Sequence, residues 1–568
     1  MDQSTTSTET TNSHTFQTNL SCHACRRLKR KCSKDVPACS LCSRVGRKCK
    51  YPTPPSSPDG SSTRASSVWA ASRLPAMPSH NRSTPSLPTD IRSFWTAPAP
   101  SVTGTWQLLR PSRTERSPFP VAWYIDSVFA RGMDINIPLG LRWADVNGAE
   151  VSISIDDARQ IADNYFKTIH DWLPIVSMVR VFRLLNVSTT LAAADLVALF
   201  AAMHLVSQGI EREHQAETQA TMYNSLKCAL SACEQHGQLT TNFLAASVLK
   251  TVYEIEHGIY PAAYFSIGAC SRACFTMGLH DTRWATQLTI VDTWTEKEER
   301  RRLWWTTLIL DRYMNIGFTF RPLATPMIRA NEIIPANDKD WDKGELAVNP
   351  LLVMSIEAKS EVAPFARACQ AAHLLGRVNQ HCNEHPEPSD ADFHFQEAHQ
   401  IQRALCALLA MLQQEYTEYD PDHRHKLFFA ISLCCSALLQ LYDVHSCIES
   451  VSTDTIGQSK GVRLELQQLA IDGFKHISAT ILDLSEEVRR AVEVQGSDCI
   501  SPFVLNAFYQ AAATFAWYAR ENGSEAHLAS LNQIRDVLKL LEPRWQVAGD
   551  YLILLKDTEF KYLGGCTQ

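Results

Sequence analysis

The sequence lacks the short motifs that most often identify an enzyme. It has no His-Glu-x-x-His pair, no P-loop and no Gly-x-Gly-x-x-Gly at the start of a helix. One segment, Gly457-Gln-Ser459-Lys-Gly461, has the letters of a hydrolase nucleophile elbow, but polar residues 452–455 precede it where the elbow requires a buried strand. A surface loop is the favoured interpretation of this segment, and we expect a protein that is not an enzyme.

Long apolar segments are also missing. Residues 1–19 are polar and contain no apolar signal core, so we expect no export to an oxidising compartment. The longest convincing apolar run, 427–442, has sixteen residues, fewer than the roughly twenty that span a bilayer. We therefore expect a buried helix over this run and no membrane partner.

Glycine and proline are sparse beyond residue 120, and no long alternation of apolar and polar residues predicts a sheet there. Thr295 and Glu298 have capping-box spacing, and 303–310 is mostly apolar, which predicts a helix that enters a buried core. The sequence thus predicts a mostly α protein, with a large all-α domain over 121–568.

The segment before that domain has a different composition. Half of residues 51–120 are proline, serine or threonine, too polar to bury a core, so we expect a disordered linker over 52–120. Residues 1–20 are likewise expected to be disordered. No heptad pattern follows Cys49, which argues against dimerisation through a coiled coil and leaves the oligomeric state open.

Six cysteines lie within twenty-eight residues, and their spacing repeats after seventeen positions. They are Cys22, Cys25, Cys32, Cys39, Cys42 and Cys49. Because zinc takes four tetrahedral ligands, six thiolates hold two ions only if two of them bridge. The repeat suggests Cys22 and Cys39, the first cysteine of each half, as the bridges. A segment so poor in apolar residues cannot fold on hydrophobic burial, so metal would serve as its core.

Three alternatives to this cluster remain. Disulfides would need an oxidising compartment. A single zinc ion with two idle thiols would leave the repeat unexplained, and so would an iron–sulfur centre. Neither of the last two accounts for the basic residues between the cysteines.

Positive charge is concentrated at the cysteines. The chain has a net charge of −6, composed of −2 over 1–20, +9 over 21–50, +4 over 51–120 and −17 over 121–568. A small basic module is expected to bind a polyanion, whereas the acidic remainder is expected to face other partners. The basic run 26–31 is also typical of a nuclear import signal, which is compatible with binding to nucleic acid.

The stretch Cys22-His-Ala-Cys25-Arg-Arg-Leu-Lys-Arg-Lys-Cys32, followed by Pro37, Cys39, Cys42 and Cys49, resembles the fungal Zn2Cys6 binuclear cluster transcription factors. The resemblance implies a DNA-binding domain over 21–51 that holds two Zn2+ ions and reads a CGG triplet in the major groove. Lys29 matches the family's base-reading lysine, and a lysine suits guanine O6 and N7. The other basic residues are expected to contact phosphates: Arg26, Arg27, Arg30, Lys31 and Lys48.

Several later stretches resemble the fungal transcription factor regulatory domain that commonly follows such clusters. They are 165–174, 260–264, Gly278-Leu-His280, 300–305, Asp311-Arg312 and Arg321-Pro322. This resemblance implies that the all-α region over 121–568 regulates activity and is a candidate sensor of a small-molecule effector.

Charged and metal-ligating residues in the large domain have a simpler interpretation. Arg300, Arg301 and Arg302 could form an anion site, but Glu296, Glu298 and Glu299 lie within helical reach, so structural pairing is favoured. The histidines at 170, 257 and 280 lack metal-ligand spacing and are expected to be core or surface residues. The other twelve cysteines show no second zinc pattern.

Together these features predict a nuclear, sequence-specific regulator of RNA polymerase II transcription. Its expected partners are double-stranded DNA, the transcription machinery or co-regulators, and a small-molecule effector. A secondary-metabolite gene cluster is the suggested target, since members of the family often control such clusters. The alternatives are a zinc-stabilised protein interaction adaptor and a metabolite-sensing receptor, neither of which reads DNA directly.

Overall fold

The computed structural model of the chain divides into two compact units, Met1–Gln107 and Leu108–Gln568. The residues that it describes are 16–17, 22, 32–44, 48–50, 119, 122–125, 137, 139–188, 191–209, 213–281, 285–289, 291–318, 321–329, 331–352, 362–384, 391–446 and 459–564. Residues 457–458 of the hydrolase-like segment lie outside these residues, and so does most of the expected linker. Residues 459–461 begin a helix, whereas a surface loop was predicted for this segment.

The described residues of the first unit form a small ribbon and one short helix. Strand β1, Phe16–Gln17, pairs antiparallel with β2, Asp35–Val36, with Phe16 opposite Val36. Helix α1, Ser40–Arg44, follows. The buried apolar residues described in this unit are Cys22, Cys39 and Cys42, so the described part of its core is formed by thiols.

The second unit consists of helices joined by turns. Its α-helices are α2 Ala122–Ile125, α3 Ile155–Lys167, α4 Met178–Val187, α5 Ala194–Ser207, α6 Glu213–His236, α7 Thr241–Glu256, α8 Ala262–Met277, α9 Trp294–Met314, α10 Asp338–Lys343, α11 Pro364–Asn383, α12 Ala391–Glu418, α13 Phe428–Ser446, α14 Ser459–Gln495, α15 Leu505–Asn522, α16 Glu525–Leu541 and α17 Gln546–Gly564. Within its described residues, β pairing is limited to two isolated bridges, Arg142 with Ala193 and Ile333 with Leu351. The predicted fold class, a zinc module followed by a mostly helical domain, is confirmed.

Helix starts follow the local sequence. At α3, the Ser154 side chain accepts a hydrogen bond from the Asp157 backbone N–H, and the Asp157 carboxylate accepts one from the Ser154 backbone N–H. At α9 the cap is Thr293, whose side chain accepts from the Glu296 N–H at 3.3 Å. The predicted cap at Thr295 and Glu298 was therefore two residues too late, because Glu298 is drawn into the core instead.

The core of this unit contains helices that are buried on almost every face. Helix α13 packs against α11 and α14, and α5 packs against α6 and α7. The segment Pro421–Ser446 is the one described helix that is long and apolar enough to cross a membrane, but 89% of its apolar window is buried inside the unit. The prediction of a buried helix over 427–442 agrees with this burial.

The N-terminal half of α9 brings charged side chains into this core. Glu298 accepts hydrogen bonds from Arg301, from Arg302 Nε at 3.1 Å and from the Ala336 backbone N–H at 2.8 Å. Arg302 is fully buried and also donates to Asp338 Oδ1 at 2.7 Å. Burial alone would lower the pKa of Arg302, but Asp338 and Glu298 outweigh it and raise that pKa.

The neighbouring charges on α9 have partners outside this helix. Glu299 pairs with Arg180, which lies 119 residues earlier in the chain, at 2.6 Å. Arg300 donates to the Thr241 hydroxyl at 3.2 Å and to the Thr289 carbonyl oxygen at 2.7 Å. The predicted structural role of Arg300–302 is confirmed. Of the glutamates predicted to pair with these arginines, Glu298 pairs with Arg301 and Arg302, whereas Glu299 pairs with Arg180.

Candidate zinc centre and nucleic-acid interface

Four cysteine sulfurs converge in the first unit at distances that suit zinc. The Sγ atoms of Cys22, Cys39, Cys42 and Cys49 all lie within 4.8 Å of one another. Cys22 Sγ is 3.8 Å from Cys39 Sγ and 3.7 Å from Cys42 Sγ. Zinc–sulfur bonds of about 2.3 Å at the tetrahedral angle place neighbouring sulfurs about 3.8 Å apart, so these four residues fit one zinc ion.

The backbone holds this arrangement through the short helix α1. The Cys42 N–H donates to Cys39 Sγ at 3.4 Å, and the Cys39 N–H donates to Cys49 Sγ at 3.3 Å. The Ser40 N–H donates to Ser33 Oγ at 2.8 Å, which satisfies another of the free donors at the helix start. Donors directed at sulfur stabilise the thiolate form, which is the form that binds metal.

The structure describes part of the predicted metal set. Cys22 and Cys39, the proposed bridging pair, are both fully buried. Cys32 is half-buried and packs against the thiol core without joining the four-sulfur group. Cys25 lies outside the described residues.

The predicted DNA contacts fall almost entirely outside the described residues. Arg26, Arg27, Lys29, Arg30 and Lys31 are not among them. Lys48 is described and exposed, next to the cluster residue Cys49. A cation at this place is available to a phosphate.

A small pocket on the helical unit is formed by stretches that carry the resemblance to the regulatory domain. Its volume is about 140 Å³, and its lining includes Tyr264, Asp311 and Pro322. Ligand pockets in proteins usually enclose about 300–1,000 Å³. Asp311 is also engaged, because it accepts hydrogen bonds from the backbone N–H groups of Ala324 and Thr325. We therefore assign no effector to this pocket.

Most of the described cysteines in the helical unit are buried thiols. Burial raises the pKa of every one of these thiols, to about 12 for Cys233 and Cys435. They are Cys233, Cys270, Cys274, Cys369, Cys382, Cys434, Cys435 and Cys499. None of these eight belongs to a group of ligands close enough to share a metal ion.

Comparisons with known proteins agree with these features. The fungal Zn(2)-Cys(6) binuclear cluster domain matches residues 20–58, and the fungal specific transcription factor domain matches residues 162–366. A thiol-cored zinc module ahead of a helical regulatory region defines a zinc-cluster transcription factor.

Two curated relatives are similar to this chain. Transcription factor BOA15 of Botryotinia fuckeliana (strain B05.10) is 34% identical over 155 residues, which cover 27% of this chain and 85% of that protein. The tropolone cluster transcription factor tropK of Talaromyces stipitatus is 22% identical over 324 residues, 55% of each chain. The chain belongs to the fungal Zn(2)-Cys(6) transcription factors, and it is a zinc-binding, DNA-binding transcription regulator.

Proposed function

We propose that the protein is a nuclear regulator of RNA polymerase II transcription that reads CGG-containing DNA through the cluster at 22–49. The observation that carries the proposal is the convergence of four thiol sulfurs at tetrahedral spacing, inside a stretch with a charge of +9. Zinc folds this segment and so presents its basic residues as one surface to the phosphate backbone.

The module holds two zinc ions in this proposal. Cys22, Cys39, Cys42 and Cys49 bind one ion, and Cys25 and Cys32 complete the second set with Cys22 and Cys39 as shared ligands. The support is that Cys22 and Cys39 are both fully buried, with their sulfurs 3.8 Å apart. Elemental analysis of the full chain, with and without the double substitution Cys22→Ser and Cys39→Ser, tests the bridge, because a loss of one zinc ion instead of two would contradict it.

Lys29 reads the base edges, while Arg26, Arg27, Arg30, Lys31 and Lys48 bind phosphates. The Lys29→Ala variant should bind its best site about 1–3 kcal/mol more weakly and discriminate less between sequences. Arg30→Ala is the matched control, since loss of a phosphate contact weakens binding to every sequence alike. Binding assays on a CGG site and on scrambled DNA at several salt concentrations separate the two effects. An equal loss on both DNAs for Lys29→Ala would refute base reading.

In this proposal the acidic helical unit controls how the regulator acts on transcription. With a charge of −17 over 121–568, this region is unsuited to DNA and is assigned to co-regulators, the transcription machinery and a small-molecule effector. Thermal shift measurements with a panel of metabolites test the effector, because a ligand that binds the folded state raises its melting temperature.

The target is a secondary-metabolite gene cluster in this proposal. One relative is described as a tropolone cluster transcription factor, and this name supports the assignment. Genome-wide mapping of bound sites tests the target and the CGG motif together. Sites concentrated at promoters outside any biosynthetic cluster would contradict the assignment of the pathway while leaving the DNA motif intact.

A further inference from the structure

Three histidines from different helices meet in the helical unit, far from the zinc module in the sequence. His381 lies in the last turn of α11, His394 in the first turns of α12 and His445 near the end of α13. Their nearest ring nitrogens lie within 4.8 Å of one another. His381 is completely buried at its side chain, and the other two are half-buried.

Two of these nitrogens lie at hydrogen-bond distance from each other. His381 Nε2 lies 3.0 Å from His445 Nε2. At that distance the two nitrogens cannot both carry a proton, so at least one lone pair points into the space between the rings. Zinc–nitrogen bonds of about 2.0–2.1 Å at the tetrahedral angle place two ligand nitrogens about 3.3–3.4 Å apart. A small separation of the rings therefore admits an ion.

A carboxylate fixes the orientation of the buried ring. Glu397 Oε2 lies 3.3 Å from His381 Nδ1, and Glu397 Oε1 is held by Arg377 Nη2 at 3.5 Å. A proton on Nδ1 that is shared with this carboxylate leaves the lone pair of His381 on Nε2, the nitrogen that faces His445. Metal-binding histidines in proteins are almost always oriented by such a partner.

His394 supplies the third nitrogen. Its ring stacks on His381 with centroids 3.8 Å apart and an interplanar angle of 11°. Because imidazole lone pairs lie in the ring plane, metal binding requires His394 to tilt out of this stack. His394 is half-buried, unlike the fully enclosed side chain of His381.

We propose that His381, His394 and His445 bind one Zn2+ ion, with Glu397 as the residue that positions His381. Three imidazoles suit zinc, and a water molecule completes the tetrahedron. The ion links the ends of α11, α12 and α13, and it is separate from the thiolate cluster.

The zinc content of the purified full chain after dialysis tests the proposal. His394→Gln should lose one zinc equivalent relative to the wild type while its far-ultraviolet circular dichroism stays unchanged. The matched control is His423→Gln, because His423 is 46% exposed at its side chain, pairs with Asp420 and precedes the opposite end of α13. The control should keep the full zinc content. Comparison of variants avoids any assumption about the number of ions in the thiolate cluster.

Glu397→Gln provides a second test that does not remove a ligand. It should weaken binding of this zinc ion about 10–100-fold in competition with a fluorescent chelator. Cobalt substitution adds a spectroscopic readout, since the ion lost from His394→Gln should lack the thiolate charge-transfer bands of the cluster. If His394→Gln retains all its zinc, or if Glu397→Gln binds zinc as tightly as the wild type in the chelator competition, the histidines form only a hydrogen-bonded cluster and the proposal is wrong.

Discussion

The side chain of Glu256 lies at the end of α7, where it is completely buried. Neither carboxylate oxygen has a hydrogen-bond partner among the described residues. The guanidinium of Arg544 attracts it, but that group donates to Gln208 and Val206 carbonyl oxygens and to Asp498. Burial outweighs the attraction and raises the pKa of Glu256 well above its usual range.

This raised pKa predicts a stability change that depends on pH. An unfolded glutamate ionises near pH 4.3, whereas folded Glu256 holds its proton to higher pH. Ionisation therefore favours the unfolded chain increasingly as the pH rises above about 4. The Glu256→Gln variant should gain about 1–3 kcal/mol in free energy of unfolding at pH 7 and nearly nothing at pH 4, measured by urea denaturation.

Glu493→Gln is the matched control for this prediction, because Glu493 is more than half exposed and its loss should change stability little at either pH. A Glu256→Gln variant that is less stable than the wild type at pH 7 would mean that Glu256 is ionised and that its attraction to Arg544 dominates.

At the scale of single elements, α9 shows what its own sequence can and cannot predict. Its existence, its apolar half and its pairing of Glu298 with the arginines follow from spacings of three and four residues. The partner of Glu299 cannot be predicted from such spacings, since Arg180 is 119 residues away in the chain. The shifted start has the same origin, because the burial of Glu298 depends on contacts with Ala336 that a local pattern does not contain.

Arg302 is the residue of α9 whose loss should cost most. Arg302→Met removes the fully buried cation that pairs with both Glu298 and Asp338, and it leaves Glu298 with Arg301 as its cationic partner. We expect a loss of about 3–5 kcal/mol in the free energy of unfolding, measured by chemical denaturation. Arg489→Ala on α14 breaks an exposed pair with Glu486 and should leave the denaturation midpoint unchanged. Similar midpoints for the two variants would contradict the importance of the buried cluster.

The histidine cluster shows that local sequence patterns also fail to predict a binding site whose residues come from distant parts of the chain. His381, His394 and His445 are separated by 13 and 51 residues, spacings that match no zinc motif. The six cysteines were recognisable because one short segment contains the whole ligand set. Ligands from three helices become neighbours only through packing, so the sequence offered no signal for them and drew attention to His170, His257 and His280 instead.

At the scale of the whole molecule, the two units have separate cores among the described residues. One is made of thiols and the other of the apolar faces of the helices. The sequence predicted this division through charge and composition, since the metal ligands and the basic residues share one short segment of the chain and the helical patterns occupy another. It could not supply the tertiary contacts of the helical unit, which join residues hundreds of positions apart.

Because the two units have separate cores, we expect that loss of the zinc cluster leaves the helical unit folded. Cys22→Ser should lower the zinc content and abolish specific DNA binding, because Cys22 is buried against both Cys39 and Cys42. The main thermal transition, which comes from the helical unit, should keep its midpoint. Calorimetry and an electrophoretic binding assay on the same preparation check both statements. A shift of the main transition by many degrees would show that the helical unit depends on the cluster for its stability.

The eight buried thiols of the helical unit make the full chain suitable for chemical labelling. Alkylating agents react with accessible thiolates, and these cysteines are both inaccessible and protonated at neutral pH. Cluster cysteines become reactive as soon as zinc leaves them. Mass spectrometry of iodoacetamide-treated protein, before and after chelation, would therefore report the metal occupancy of the DNA-binding module against an internal background of unlabelled cysteines.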